Sequence, residues 1–236
     1  MLFLNGMQAY FMSSPIRDYY FSDFLFQFRV KRPISFPLTT GKEKNMPSIK
    51  GSETEKNLLV SFAGEGQARN RYTYWSGVAK KEGYEQIAYI FELTANQEKE
   101  HAERFFKFLE GGELSVTGLY PAGVIGTTLQ NLQEAAGNEH YEGSTLYPGF
   151  AEIADQEGFH DIADVFRQVS IAEHAHEKRY LELADNIRTE RVFKREKPVI
   201  WQCRNCGYVM TGTEPPKICP SCAHPQAYFE LEMHNW

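Results

Sequence analysis

The chain has 236 residues, of which 42% are hydrophobic and 14% aromatic, enough to bury one core and leave room for a small second domain. Its formal net charge of −6 argues against a nucleic-acid or anionic-membrane surface, since both ask for a clustered basic excess. No stretch reaches the roughly 18 consecutive apolar residues of a membrane span, so the expected class is a soluble, cytoplasmic, globular protein.

Residues 1–45 are rich in Phe and Tyr, lack a basic residue ahead of their apolar stretch, and offer no clean small-residue cleavage site. They do not read as a secretory signal. From Met46 onward the sequence turns regularly amphipathic, so the expected biological start is Met46. The competing readings of this extension are an organelle presequence, disfavoured by its Asp residues and sparse Arg, and a docking segment.

Four long helical patterns follow, over about Thr54–Lys81, Tyr84–Leu109, Val124–Glu157 and His160–Ile187. Gly83, Gly111-Gly112 and Gly158 punctuate them. The short links at Gly83 and Gly158 suit antiparallel neighbours. The longer "GGELSVTGLYPAG" between the second and third suits the crossover of one class of four-helix bundle. Pro148 lies inside the third pattern and is expected to bend it into two pieces. The basic run Arg188, Arg191, Lys194, Arg195 and Lys197, broken by Glu190 and Glu196, reads as a solvated linker.

Each apolar stripe carries acids where a core should be. The first has Glu65 among Leu58, Phe62, Tyr72 and Trp75. The second has Glu98 and His101 in line with Ile87, Phe91, Ala95, Phe105 and Phe108. The third has Glu139 and Glu142 with Leu132, Ala136, Leu146 and Phe150, and the fourth has Glu173 and His176 with Ile162, Phe166, Val169 and Tyr180. A buried, unpaired carboxylate costs several kcal/mol or takes up a proton.

The spacing repeats. Glu65 to Glu98 is 33 residues and Glu139 to Glu173 is 34, so each helix pair offers a Glu and then a Glu-x-x-His, as a duplicated helical hairpin would. Residues three apart lie a turn apart in height and close in azimuth, so such a Glu and His can grip the same or adjacent ions. Five carboxylates and two imidazoles in an apolar bundle are intelligible around two cations whose charge balances the acids. The thiolate-free O/N donor set points to iron or manganese. His140, His160 and His174 fall off the stripes and read as surface residues, and Tyr72 and Tyr147 read as core tyrosines close to the proposed ligands.

All four cysteines lie in "WQCRNCGYVMTGTEPPKICPSC", as two C-x-x-C pairs twelve residues apart. Cys203, Cys206, Cys219 and Cys222 can therefore place four sulfurs tetrahedrally around structural zinc or a single redox-active iron. The pattern alone does not choose between those metals. A double disulfide is disfavoured by the tight pairs in an otherwise cysteine-free chain.

The order "FAGEGQARNRYTYW", "EKEHAERFFKFL", "NEHYEGSTLYPGFAEIA", "AEHAHEKRY", the cysteine knuckles and "CAHPQAYFEL" resembles the rubrerythrin family from about Met46 to the end. The resemblance implies a mainly α protein: a ferritin-like di-iron four-helix bundle over 46–193 and a linker with a rubredoxin-like Fe(Cys)4 domain over 194–236. It carries the di-iron ligands onto Glu65, Glu98, His101, Glu139, Glu142, Glu173 and His176, with Glu98 and Glu173 bridging, and the single iron onto the four cysteines. It implies reduction of hydrogen peroxide to water in oxidative-stress defence, with electrons relayed through the cysteines from a rubredoxin or an NAD(P)H-dependent reductase. It also implies a homodimer or higher homo-oligomer paired head to tail, and an exchange in which Glu142 and His101 alternate on one iron. Asn138 and Gly143 depart from the family pattern beside ligands. The alternatives are a ferroxidase or iron-storage protein, and a metal-binding module with a structural zinc ribbon.

Overall fold

The computed structural model describes residues 47–234. The described residues all belong to one compact unit, Asn45–Trp236. The extension and the expected start at Met46 lie outside the described residues.

Helix α1 (Glu53–Lys81) is capped by the Ser52 side chain, which accepts from the Glu55 backbone N–H, meeting one of the donors every helix start leaves free. Gly83, at φ 84°, supplies the left-handed turn into α2 (Glu85–Phe106). A crossover with no regular structure then leads to α3 (Thr128–Tyr141), whose start is fixed by a capping box between Thr127 and Gln130. That box starts the third helix at Thr128, later than the Val124 its apolar pattern suggested. Gly158, also at φ 84°, turns the chain into α5 (His160–Arg188).

The expected break at Pro148 takes another form. The third helix runs on through a π turn, Glu142–Leu146, into α4 (Tyr147–Gln156) with no loop between. Pro148 has no N–H to offer Ser144. The Tyr147 N–H instead reaches the Glu142 carbonyl, five residues back, and the helix widens by one residue where an α-helix would have lost a bond.

Two apolar clusters fill the bundle. One gathers Trp75, Phe91, Leu132 and Tyr180, and the other gathers Leu58, Phe105, Tyr147 and Phe166. On every helix the stripe acid falls between the two clusters. The acids therefore form a polar layer inside a dry core. Among the described residues no helix is long and apolar enough to cross a membrane.

The C-terminal domain is an antiparallel sheet of β1 (Val199–Cys203), β2 (Val209–Gly212) and β3 (Phe229–Leu231) in the order β2-β1-β3. Its core is Trp201, Cys203, Cys219 and Phe229. The Trp201 Nε1–H, which would cost if buried unpaired, donates to the Gly212 carbonyl at 3.0 Å. The domain touches the bundle where the Arg204 guanidinium lies 4.5 Å from the Tyr89 ring centre on α2 while also pairing with Glu230. The linker is not wholly solvated: Phe193 stacks on Tyr84 at 6.3 Å, and Arg195 lies over Trp201.

Candidate metal centres

The four stripe acids Glu65, Glu98, Glu139 and Glu173 are buried to 1% exposure or less, with His176 at 5%. Two sets of donors converge. Glu65, Glu98, His101 and Glu173 form one, and Glu98, Glu139, Glu173 and His176 form the other, each with ligand atoms within 4.8 Å of one another. Glu98 and Glu173 belong to both, and the two imidazole rings lie 5.8 Å apart. Each set could hold one ion, and two adjacent ions would then share these two carboxylates.

The directions of the donors say more than the distances. His176 Nδ1 lies 2.9 Å from Glu173 Oε2 and 3.1 Å from Glu98 Oε1. Yet His176 Nδ1, Glu98 Oε1, Glu139 Oε2 and both Glu173 oxygens are buried with no hydrogen-bond partner. Atoms so close without hydrogen-bond alignment are turned toward a common point. Native proteins rarely leave such groups unmet, and a cation at that point satisfies them all, so the residues present fit a di-metal centre.

The charges tell the same story in the metal-free protein. Burial, then the neighbouring acids, push Glu65 and Glu139 well above the usual carboxylate range. Burial also works on Glu173, but His101 and His176 outweigh it and hold that carboxyl down at about 2. Burial opposes charge on the imidazoles, and the facing acids prevail, raising His101 to about 9 and His176 to about 12. Without metal, protons and imidazolium ions must stand in for the missing positive charge.

Glu142 stands apart. It belongs to neither converging set, and burial followed by repulsion from Glu173 and Glu98 raises it to about 8. Here His101 is within the cluster and Glu142 is outside it. His140, His160 and His174 are exposed and pair with Glu177 or Asp155. Tyr72 and Tyr147, read as core from their stripe positions, do more than fill space. Their buried hydroxyls donate to Glu139 and Glu65, so each orients a carboxylate carried by another helix. The signal was their spacing: Tyr72 lies seven residues, two turns, beyond Glu65.

Gly143 packs where a side chain could not easily go. A Cβ there would meet the His174 ring at 3.1 Å and the Ser170 carbonyl at 3.2 Å. Its own carbonyl accepts from Ser170 Oγ at 2.6 Å, which ties the π turn to α5.

In the C-terminal domain the sulfurs of Cys203 and Cys222, and of Cys206 and Cys219, lie 3.8 Å apart, and all four converge. None is in a disulfide. A tetrahedron of sulfurs about 2.3 Å from a central ion has edges of about 3.8 Å, so this set also fits a metal.

A four-helix bundle with a buried carboxylate–histidine layer, joined to a four-cysteine knuckle, defines a ferritin-like di-iron protein with a rubredoxin-like domain. The sequence comparisons agree. The model of the Rubrerythrin family matches residues 56–184, and that of the rubrerythrin rubredoxin-like domain matches 201–230. The chain is 61% identical over 189 residues to rubrerythrin of Porphyromonas gingivalis, covering 80% of this chain and 94% of that one. It is 56% identical over 191 residues to rubrerythrin of Nitratidesulfovibrio vulgaris, covering 81% of this chain and all of that one. Among solved structures, fully reduced, all-ferrous nigerythrin superposes with a TM-score of 0.52 at 31% identity, over 80% of this chain and 95% of that one. The chain belongs to the rubrerythrin family.

Proposed function

We propose that this chain is a peroxidase that reduces hydrogen peroxide to water at the bundle site, with electrons entering through the cysteines. Glu98 and Glu173, common to both donor sets, would be shared by two irons, Glu65 and His101 would hold one, Glu139 and His176 would hold the other, and Glu142 would be the alternative ligand to His101. The four cysteines hold one further iron. The observation that carries the reading is the pairing of a two-ion carboxylate site with a separate thiolate site in one chain. Iron storage has no use for a dedicated electron-return centre, and a structural ribbon has no use for the bundle site.

Bound iron supplies the one-electron changes that peroxide reduction needs; the reaction consumes two electrons and two protons and yields two waters. The protein's own groups do the rest. Phe105, Phe166 and Phe91, all fully buried, keep bulk water from the acids and strengthen every charge interaction there. Tyr72 and Tyr147 fix Glu139 and Glu65 in orientation. The partly exposed Glu142 is the acid at the cavity side of the site and is able to carry a proton near neutral pH in the metal-free protein. The donor is a reduced rubredoxin or an NAD(P)H-dependent reductase, and two chains pair head to tail so that one chain's cysteines serve the other's bundle.

The test is Cys206→Ser in the iron-loaded protein. The chemically reduced variant should still oxidise once with peroxide, while steady turnover from a protein donor falls to background. Undiminished donor-driven turnover would refute the relay.

A further inference from the structure

A cavity of about 510 Å³ runs along α1 from Glu53 to Arg71, walled on its other sides by the crossover and by Asn138 to Phe150. Its lining carries two acids, Glu53 and Glu142, and two basic residues, Lys56 and Arg71. Of the two basic residues lining it, Lys56 is paired with Glu53 at 2.8 Å. Arg71 feels the Glu142 carboxylate electrostatically, but its Nε and Nη1 are buried and have no hydrogen-bond partner. Asn138 Nδ2 and Gln67 Oε1, which line the same end, are also buried and unpartnered, as is Asn57 Nδ2 toward the other end. Buried polar atoms in such number call for a ligand or ordered water, and a guanidinium flanked by an amide is a fork for a carboxylate.

The shape extends this. At about 1.5 Å per helical residue, Arg71 stands roughly 10 Å from Gly64 and 16 Å from Val60 along α1. Gly64 lines the narrowest stretch, where a Cβ would already be in contact with the Tyr120 ring at 3.8 Å and Glu142 Oε1 at 4.0 Å, so that any larger side chain would close it. Beyond it the wall carries Val60, Leu146 and Phe150. The cavity thus has the Arg71 guanidinium at one end and apolar residues further along, with the Glu142 carboxylate between them.

We propose that this cavity binds an organic carboxylate of short to medium chain length, its head held by Arg71 and Asn138 and its chain laid along α1 past Gly64. An occupant would lie across the Glu142 side of the metal site, so binding would also gate access to it. The inference rests on the cavity alone and stands whether or not the peroxidase reading does.

Calorimetric titration of the iron-loaded full-length protein with acetate, butanoate and hexanoate, at ionic strength fixed with chloride, tests it. The expected result is saturable binding to one site per chain that tightens by up to about fourfold per added methylene. Arg71→Gln should weaken it by about tenfold or more, and Arg71→Lys should restore part of the loss. Because Arg71 also packs over Trp75, the near-isosteric Asn138→Asp serves as a second variant that repels an anion while preserving the packing, and it too should abolish binding. Absence of saturable binding, or equal binding by Arg71→Gln, overturns the proposal. Tight binding of inorganic phosphate with no gain along the carboxylate series overturns it as well, in favour of a simple oxyanion pocket.

Discussion

Glu142 is the acid that the two converging sets do without, and its position suggests its task. A ferric ion gains more than a ferrous ion from an anionic oxygen, while a neutral imidazole satisfies the ferrous state, so a carboxylate held just outside the cluster and within the electrostatic reach of His101 suits an exchange of ligands. Glu142→Ala is expected to keep close to two irons in the bundle, because both converging sets remain intact, yet to lose peroxide turnover and drift toward ferroxidase behaviour. Iron analysis alongside a peroxide assay decides it: loss of iron, or wild-type turnover with both irons bound, would contradict the exchange. Tyr72 tests orientation at the same scale. Removing its hydroxyl leaves Glu139 without its donor, and Tyr72→Phe should weaken metal binding by about 10- to 100-fold, measurable by competition with a chelator.

Among the elements, the π turn at Glu142–Leu146 is the least expected from sequence. Its wider ladder leaves the Gly143 carbonyl to a partner from another helix, and Ser170 Oγ supplies it at 2.6 Å. Ser170→Ala should therefore cost about 1–2 kcal/mol and lower the melting temperature by roughly 2–4 °C per kcal/mol. Thr73→Ala, whose hydroxyl bonds only to its own helix at Arg69 and is exposed, provides the control and should change little. Equal melting of the two variants would mean that Ser170 is dispensable to the turn. The same turn explains why no loop opens at Pro148: the helix has already given up the bond that Pro148 cannot make.

At the scale of the whole molecule, the buried acid layer makes metal-free stability depend on pH in a definite direction. Glu142 titrates near 8 in the folded protein against the ordinary carboxylate value of 4.5, and His101 near 9 against 6.5. Both groups bind protons more tightly folded than unfolded, so the stability they contribute is lost as pH rises from about 4.5 through about 9. Glu173, held at about 2, acts oppositely, but its contribution is complete above 4.5 and is lost only in acid. The metal-free protein should melt at progressively lower temperature from about pH 5 to about pH 9. Iron displaces those protons, so the loaded protein should show a flatter or reversed trend. Thermal melts of both forms across that range check the sign, and a metal-free protein that gains stability toward the alkaline end would show that the acids are not protonated as described.

The four helices, the inward acids, the Glu-x-x-His repeat and the cysteine knuckles were all legible in the sequence, because each rests on local spacing: a helix repeats every 3.6 residues, and a stripe position is a property of one segment. His140, His160 and His174 could be set aside on the same ground. What a segment cannot encode is which residue of another helix lies opposite. That Glu98 and Glu173 are the acids shared by both sets was carried by the family resemblance and not by any local spacing, and only the assembled bundle shows that Tyr72 and Tyr147 bond to Glu139 and Glu65 and that Arg71 faces a cavity with its Nε and Nη1 lacking hydrogen-bond partners. The π turn belongs with these. Proline alone predicts an interrupted ladder, but whether the chain breaks or widens depends on whether a neighbouring helix offers a donor for the freed carbonyl, and Ser170 on α5 does.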